Sequence, residues 1–328
     1  MYPLKKPASV TLLAFSLSTI VAAPLQAASA DPYPNRPVRL IMGPGAGGPT
    51  DSVGRVLATR LTELWGQPVI VENRPGAGNT IATAAAAKAT PDGYTLLLCP
   101  ISDAVAPSLY KKLPYNFEKE IVAISHIGVT PNVFVVPPSL PVKSVKDFIA
   151  HAKANPGKLN YGSLGVGQSG HLAMELLKHM TGIDVMYVPY KTAGLAVTDL
   201  LAGRMDAQIT NLPVHVDNIK AGKVRALGVT SAKRSPRFPE IPAMAETVPG
   251  FAVDVWYGIC APAGVPKAVV NTVNAGVVEA LKTADVQKRM ENYGVDTSSS
   301  TPEQFAAFIR AETVRWAKVV KAAGIPQQ

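Results

Sequence analysis

The sequence predicts an α/β protein of two lobes with a cleft between them, and three observations carry that prediction. Strand, glycine loop and helix follow one another twice from residue 38 and end in a third strand at 94–99, the pattern of a βαβαβ unit with a parallel sheet buried on both faces. At 124–136 the text changes to two apolar, strand-like runs on either side of Thr130-Pro131-Asn132, where a domain crossing is expected. A strand at 253–260 then leads to helices that return to the first lobe. Two crossings between α/β lobes make a hinge, and strand C-termini from both lobes face one cleft. The expected division is a leader at 1–30, a first lobe at 31–130 and 253–328, and a second at 131–252.

Taken in order, the chain opens with Lys5 and Lys6, an apolar stretch at 10–23 and the small residues Ala28-Ser29-Ala30. This reads as a secretory signal peptide cleaved near Ala30, too short to span a membrane, and the expected location is the periplasm. Neither cysteine lies near the cleavage site to carry a lipid. A strand at 38–42 feeds the loop Gly43-Pro44-Gly45-Ala46-Gly47-Gly48, and a helix opens at Pro49 or Thr50, with Val53, Val56, Leu57, Leu61 and Leu64 at helical spacing up to Gly66-Gln67-Pro68. A strand at 69–72 reaches a second glycine turn at 73–80 and an Ala-rich helix to about Thr90. In the second lobe, helices are expected at 145–154, 169–181 and 193–202, and strands at 160–162, 185–188, 207–210 and 224–229. The closing helices are expected at 267–282, 285–293 and 302–323.

Composition excludes several classes. The chain carries 32 Lys and Arg against 23 Asp and Glu, net +9, or +7 without Lys5 and Lys6. The densest basic group, Lys233-Arg234-Ser235-Pro236-Arg237, has no interleaved aromatics, so no nucleic-acid partner is expected. Cys99 and Cys260 each end an apolar run and read as free, buried thiols. The histidines show no ligand spacing, so no metal site and no cofactor is expected.

The chemistry lies in the loops. The first glycine loop lets the backbone approach a ligand, and the following helix points unpaired N–H groups and its positive dipole end into the same space; a carboxylate or phosphate fits there without a basic side chain. The same loop matches G-x-G-x-x-G, with Glu72 ending the next strand, which is the rival dinucleotide reading. Pro44, Pro49 and the export signal stand against it. Asp51 falls in the first helical turn, where it stabilises the loop or meets the ligand. In the second lobe, Gly165 and Gly167 lead to Ser169 as an N-cap, a second helix N-terminus facing the first. Gly167-Gln168-Ser169-Gly170-His171 is not G-x-S-x-G, and capping and packing explain Ser169 and His171 without a hydrolase. Tyr190-Lys191-Thr192-Ala193 opens a helix at the cleft, or is a plain turn with Lys191 in solvent. Asn211 ends a strand at the same edge. Asp103, next to Ser102 after the third strand, would repel a second carboxylate and favour a ligand with an amine.

At these loops the sequence resembles the periplasmic receptors of tripartite tricarboxylate transporters, the Bug family, through nearly the whole chain after the leader. The agreeing motifs are Tyr33-Pro34 with Arg36-Pro37, Pro44-Gly45-Ala46-Gly47-Gly48 with Thr50-Asp51, Val71-Glu72-Asn73-Arg74-Pro75-Gly76-Ala77-Gly78 and Pro91-Asp92-Gly93-Tyr94. Further along come Tyr161-Gly162-Ser163 with Gly165, Gly167 and His171, then Val188-Pro189-Tyr190-Lys191, Ala221-Gly222-Lys223, and Trp256 with Ala261-Pro262-Ala263-Gly264. Thr192 and Leu195 depart from the usual pattern, which has Gly and Pro there. The resemblance implies a two-lobed, type II periplasmic-binding-protein fold that closes over a small organic acid (a di- or monocarboxylate, aromatic acid or amino acid) and hands it to membrane permease subunits. It implies ligand contacts from Pro44, Gly45, Ala46, Gly47, Gly48, Thr50 and Asp51, with Ser163, Gly165, Gly167, Gln168, Ser169 and Tyr190 on the opposing wall. Ser102, Asp103 and Asn211 join them from their strand-end positions. The alternatives using the same cleft are a secreted α/β enzyme, for which no catalytic constellation assembles, and an orphan sensory receptor.

Overall fold

The strand–loop–helix text of the first hundred residues folds as its periodicity requires. The structure, a computed structural model, describes residues 1–3, 33–43 and 45–328. The expected leader and its expected cleavage near Ala30 lie outside the described residues except for residues 1–3, and Pro44 lies outside them too.

β1 (Val38–Met42), α1 (Pro49–Trp65), β2 (Val69–Asn73), α2 (Thr80–Ala87) and β3 (Thr95–Pro100) form the expected unit, with strands parallel in the order β2-β1-β3. On α1, Val53, Val56, Leu57 and Leu61 are buried against the sheet. The helix stops at Gly66, whose φ of 62° is left-handed and whose N–H donates to the Thr62 carbonyl at 3.0 Å, a geometry that disfavours a Cβ. Two helices unforeseen in the sequence follow, α3 (Ile101–Leu109) and α4 (Phe117–Glu120). Pro107 reads as a breaker, but it lies in the last turn of α3, where its missing N–H costs one bond only.

The largest departure from expectation is β4 (Ile121–Val136), one strand of 16 residues where two runs and a break were expected. Its first part, up to Pro131, pairs antiparallel with β9; Asn132 onward pairs with β7 and β8. Pro131, which has no N–H to give, sits where one ladder ends and the other begins, so the strand continues through it. The change of pairing partner falls at Pro131–Asn132, without interrupting the strand.

The second half of the sheet comprises α5 (Val145–Ala154), β5 (Asn160–Ser163), α6 (Ser169–Thr181), β6 (Met186–Pro189), α7 (Ala193–Leu201), β7 (Ala207–Asn211), α8 (Val216–Lys220) and β8 (Arg225–Val229). β5 lies parallel between β6 and β7. Its own small core, including Val133, Val135, Ala196, Leu200, Met205 and Val229, sits under α7. The chain returns at β9 (Asp254–Pro262), and the entry to β9 is tied to β4: the Thr230 hydroxyl donates to the Val253 carbonyl at 2.7 Å and the Asn132 N–H donates to the Thr230 hydroxyl oxygen at 3.0 Å. β9 fills the space between β3 and β4, and α9 (Lys267–Lys282), α10 (Ala284–Asn292), β10 (Asp296–Thr297) and α11 (Pro302–Ala322) complete this half. Cys99 and Cys260, on the paired strands β3 and β9, are both buried and free. No helix among the described residues is long and apolar enough to cross a membrane.

Candidate functional site

The first glycine loop is held from below by one carboxylate. Asp51 is almost fully buried, and its oxygens accept from the Gly47 N–H at 3.0 Å, Arg55 Nε at 2.9 Å and Asn73 Nδ2 at 2.8 Å. Burial opposes its charge, but these bonds and the Arg55 charge outweigh it and hold the carboxyl below its ordinary value. Gly47 takes φ 84°, the left-handed turn that brings its N–H onto Asp51. Asp51 therefore shapes the loop and does not line the cleft.

Between the two halves of the sheet lies a cleft of two adjoining chambers, of about 320 and 770 Å³. Three helix N-termini converge on the smaller: Gly47 to Thr50 from α1, Gln168 to Gly170 from α6, and Thr192 to Gly194 from α7. Gly48 and Gln168, the residues preceding α1 and α6, are extended and give no side-chain cap, so first-turn N–H groups stay available to a ligand. No Asp or Glu lines either chamber among the described residues, and Lys191 is the one basic side chain that does. Such a space offers an anion backbone donors and aligned dipoles.

The structure brings most of the expected residues together here. Gly45, Ala46, Gly47, Gly48, Thr50, Ser163, Gln168, Ser169 and Asn211 line the smaller chamber; Ser102, Gly165 and Tyr190 join from the larger. Three expectations are corrected. Ser169 is the first residue of α6 and not its cap, because Gln168 already takes the extended cap conformation; the Ser169 hydroxyl donates instead to Asn132 Oδ1 at 3.4 Å. Gly167 stays behind the wall, its N–H against His171 Nδ1 at 3.5 Å. Asp103 does not reach the cleft: it is fully buried under it, accepting from Thr83 Oγ1 at 2.6 Å and Asn79 Nδ2 at 2.7 Å. His171 packs edge-on to Tyr187 with ring centroids 4.8 Å apart, and burial pushes its pKa down to about 4, so it is a neutral packing residue.

Sequence reasoning missed two groups of residues. Tyr257 on β9 lines the larger chamber beside Thr50 of α1, and its hydroxyl oxygen accepts from Asn211 Nδ2 at the end of β7 at 3.1 Å, which ties the two halves together across the cleft floor. A lone hydroxyl-bearing aromatic beside Gly258 in an apolar strand was its only signal. Gln208 on β7 is buried but lines the smaller chamber. His215, fully buried and pushed by burial down to about 4, stands against Gln208 Oε1 at 2.7 Å, while Asn218 Nδ2 faces its other ring nitrogen at 3.4 Å. With Asn218 donating to Nδ1, the Nε2–H is directed at Oε1, and the Gln208 amide nitrogen is left for the chamber.

A protein-family model described as tripartite tricarboxylate transporter family receptor matches residues 53–325. Among solved structures, the chain is 35% identical to R. palustris Rpa4515 with adipate (TM-score 0.84, 90% of this chain and 100% of that one). It is 34% identical to the periplasmic binding protein BugD (TM-score 0.82, 90% and 100%). It is 30% identical to MatC from Rhodopseudomonas palustris with bound malate (TM-score 0.81, 88% and 100%).

Proposed function

This chain belongs to the tripartite tricarboxylate transporter receptor family, the Bug receptors, with their two-lobed α/β fold, and from that premise we propose that it captures a small carboxylate-bearing solute in its cleft. The observation that carries the reading is the convergence of three helix N-termini on a chamber without an acidic side chain. Adipate and malate, bound by two similar proteins, are both dicarboxylates, which supports the same ligand class here. The lobes are 31–130 with 253–328, and 131–252; they close about the paired crossings at Asn132 and Val253, with Tyr257 as the bridge between them. The leader and the likeness to BugD support a periplasmic location, and the family supports membrane permease subunits as the partner that receives the solute. No reaction is assigned: the Ser169 hydroxyl is turned to Asn132 and His171 is buried with its Nδ1 against the Gly167 N–H, so these two do not meet as nucleophile and base.

A thermal-shift screen of the stripped, leader-free protein against adipate, malate, acidic amino acids and aromatic monocarboxylates tests this. A carboxylate at about a hundred times its dissociation constant adds roughly 2.7 kcal/mol and raises Tm by about 5 °C. Silence across every carboxylate overturns the reading. For the ligand so found, Tyr257→Phe removes the acceptor that holds Asn211 Nδ2, and calorimetry is expected to show about 3- to 10-fold weaker binding at a net loss near 1 kcal/mol.

A further inference from the structure

Asp103 is the carboxylate that solute capture does not use. It is fully buried in the first turn of α3, one layer behind the cleft wall. The residue before it, Ser102, lines the larger chamber, and so does Asn79, whose amide Nδ2 donates to Asp103 Oδ2 at 2.7 Å. Asn79 holds a left-handed φ of 88° and packs so tightly on Gly43 that a Cβ there would come within 2.0 Å of its Oδ1. Asp103 thus ties the second glycine loop to the first through one side chain. The groups facing it are Thr83 on α2, Cys99 on β3 with Cys260 of β9 behind it, and Tyr115 ahead of α4 with Tyr110 beyond. None is a cation, and among the described residues no Lys, Arg or His pairs with it.

We propose that Asp103 is a positioning residue that binds a proton when the cleft binds an anion, so that solute capture and proton uptake are coupled. The inference rests on the anion-binding reading above. A carboxylate without a cation partner in a dry site favours its neutral form, and an anion arriving one side-chain layer away favours it further. Burial already pushes the carboxyl up to about 7, against the hydrogen bonds from Thr83, Asn79 and the Cys99 thiol that would lower it. The sign follows. Near neutrality the empty protein carries Asp103 partly ionised, the loaded protein carries it neutral, and affinity falls as pH rises through 7.

Two measurements separate this proposal from the functional reading. In the unliganded protein, the side-chain amide resonance of Asn79 is expected to titrate with a midpoint near neutrality; a resonance that stays flat from pH 5.5 to 8.5 overturns the proposal whether or not any solute binds. With adipate as the probe, calorimetry in buffers of different ionisation enthalpy is expected to show net proton uptake at pH 7.5, and Kd to rise about 3- to 10-fold from pH 6 to 8. Asp103→Asn keeps an acceptor for Asn79 and removes the proton site, so its Kd is expected to lose that dependence. A variant with the wild-type slope, or a wild type with no more uptake than the variant, overturns the coupling. If every carboxylate of the panel fails to bind while Asn79 titrates, the choice of ligand class is wrong and the buried proton site stands.

Discussion

Gly170→Val is expected to abolish solute capture and to cost about 2–3 kcal/mol of stability. Gly170 lies in the first turn of α6, directly against β7: a Cβ would stand 2.0 Å from the Ile209 carbonyl oxygen and 3.1 Å from its carbon. Both are backbone atoms in the middle of a paired strand, so they cannot yield as a side-chain tip would. The helix must lift from the sheet, and with it Gln168 and Ser169, which line both chambers. Losing two charge-assisted hydrogen bonds from that helix end weakens binding by more than about 100-fold. Urea midpoints and calorimetry read the two effects separately. Gly45→Ala is the control, since nothing stands within 4 Å of its Cβ position; it should fold with wild-type stability.

Asp51→Ala is expected to cost about 2–3 kcal/mol, because it strips the Gly47 N–H, Asn73 and Arg55 of a shared acceptor. The figure is kept low because Arg55 is half exposed and water replaces part of what it loses. Affinity should fall at least tenfold as the loop loses its anchor, although the side chain touches no ligand. The pH dependence identifies the cause. A carboxyl held below its ordinary value stabilises the fold above that ordinary value, and the contribution is lost as pH falls through the lowered one. The stability gap between wild type and variant should therefore be constant at neutral pH and close in acid.

The first-lobe unit and both glycine-loop helix starts were legible because glycine and proline punctuate them and the apolar residues between keep one period. β4 was misread because Thr130-Pro131-Asn132 carries a turn signature locally, while the change of pairing partner that lets Pro131 remain in a strand is a long-range property. α3 was missed because it follows β3 without any loop residue and is buried on most of its surface, so no polar face marks its period. In the cleft, the loops that supply backbone donors were readable from their glycines. Tyr257 and Gln208 were not, because each sits in a strand whose neighbours across the sheet decide whether its side chain meets a core or a cavity. Asp103 was expected at the cleft because it follows β3 directly, but the first turn of α3 turns its side chain to Asn79 and Thr83, one layer behind Ser102.

The continuity of β4 has a mechanical consequence. Had the two lobes been joined by flexible loops, opening would be a free swing with no preferred return. A single strand hydrogen-bonded into both halves leaves no free joint: parting the lobes would mean twisting it, at least cost about Pro131, which has no N–H to give to the ladder, and the strain would favour return. The receptor would then be spring-loaded, with its backbone amides slow to exchange on both sides of Pro131 and its rate of reclosure set by the stiffness of one strand.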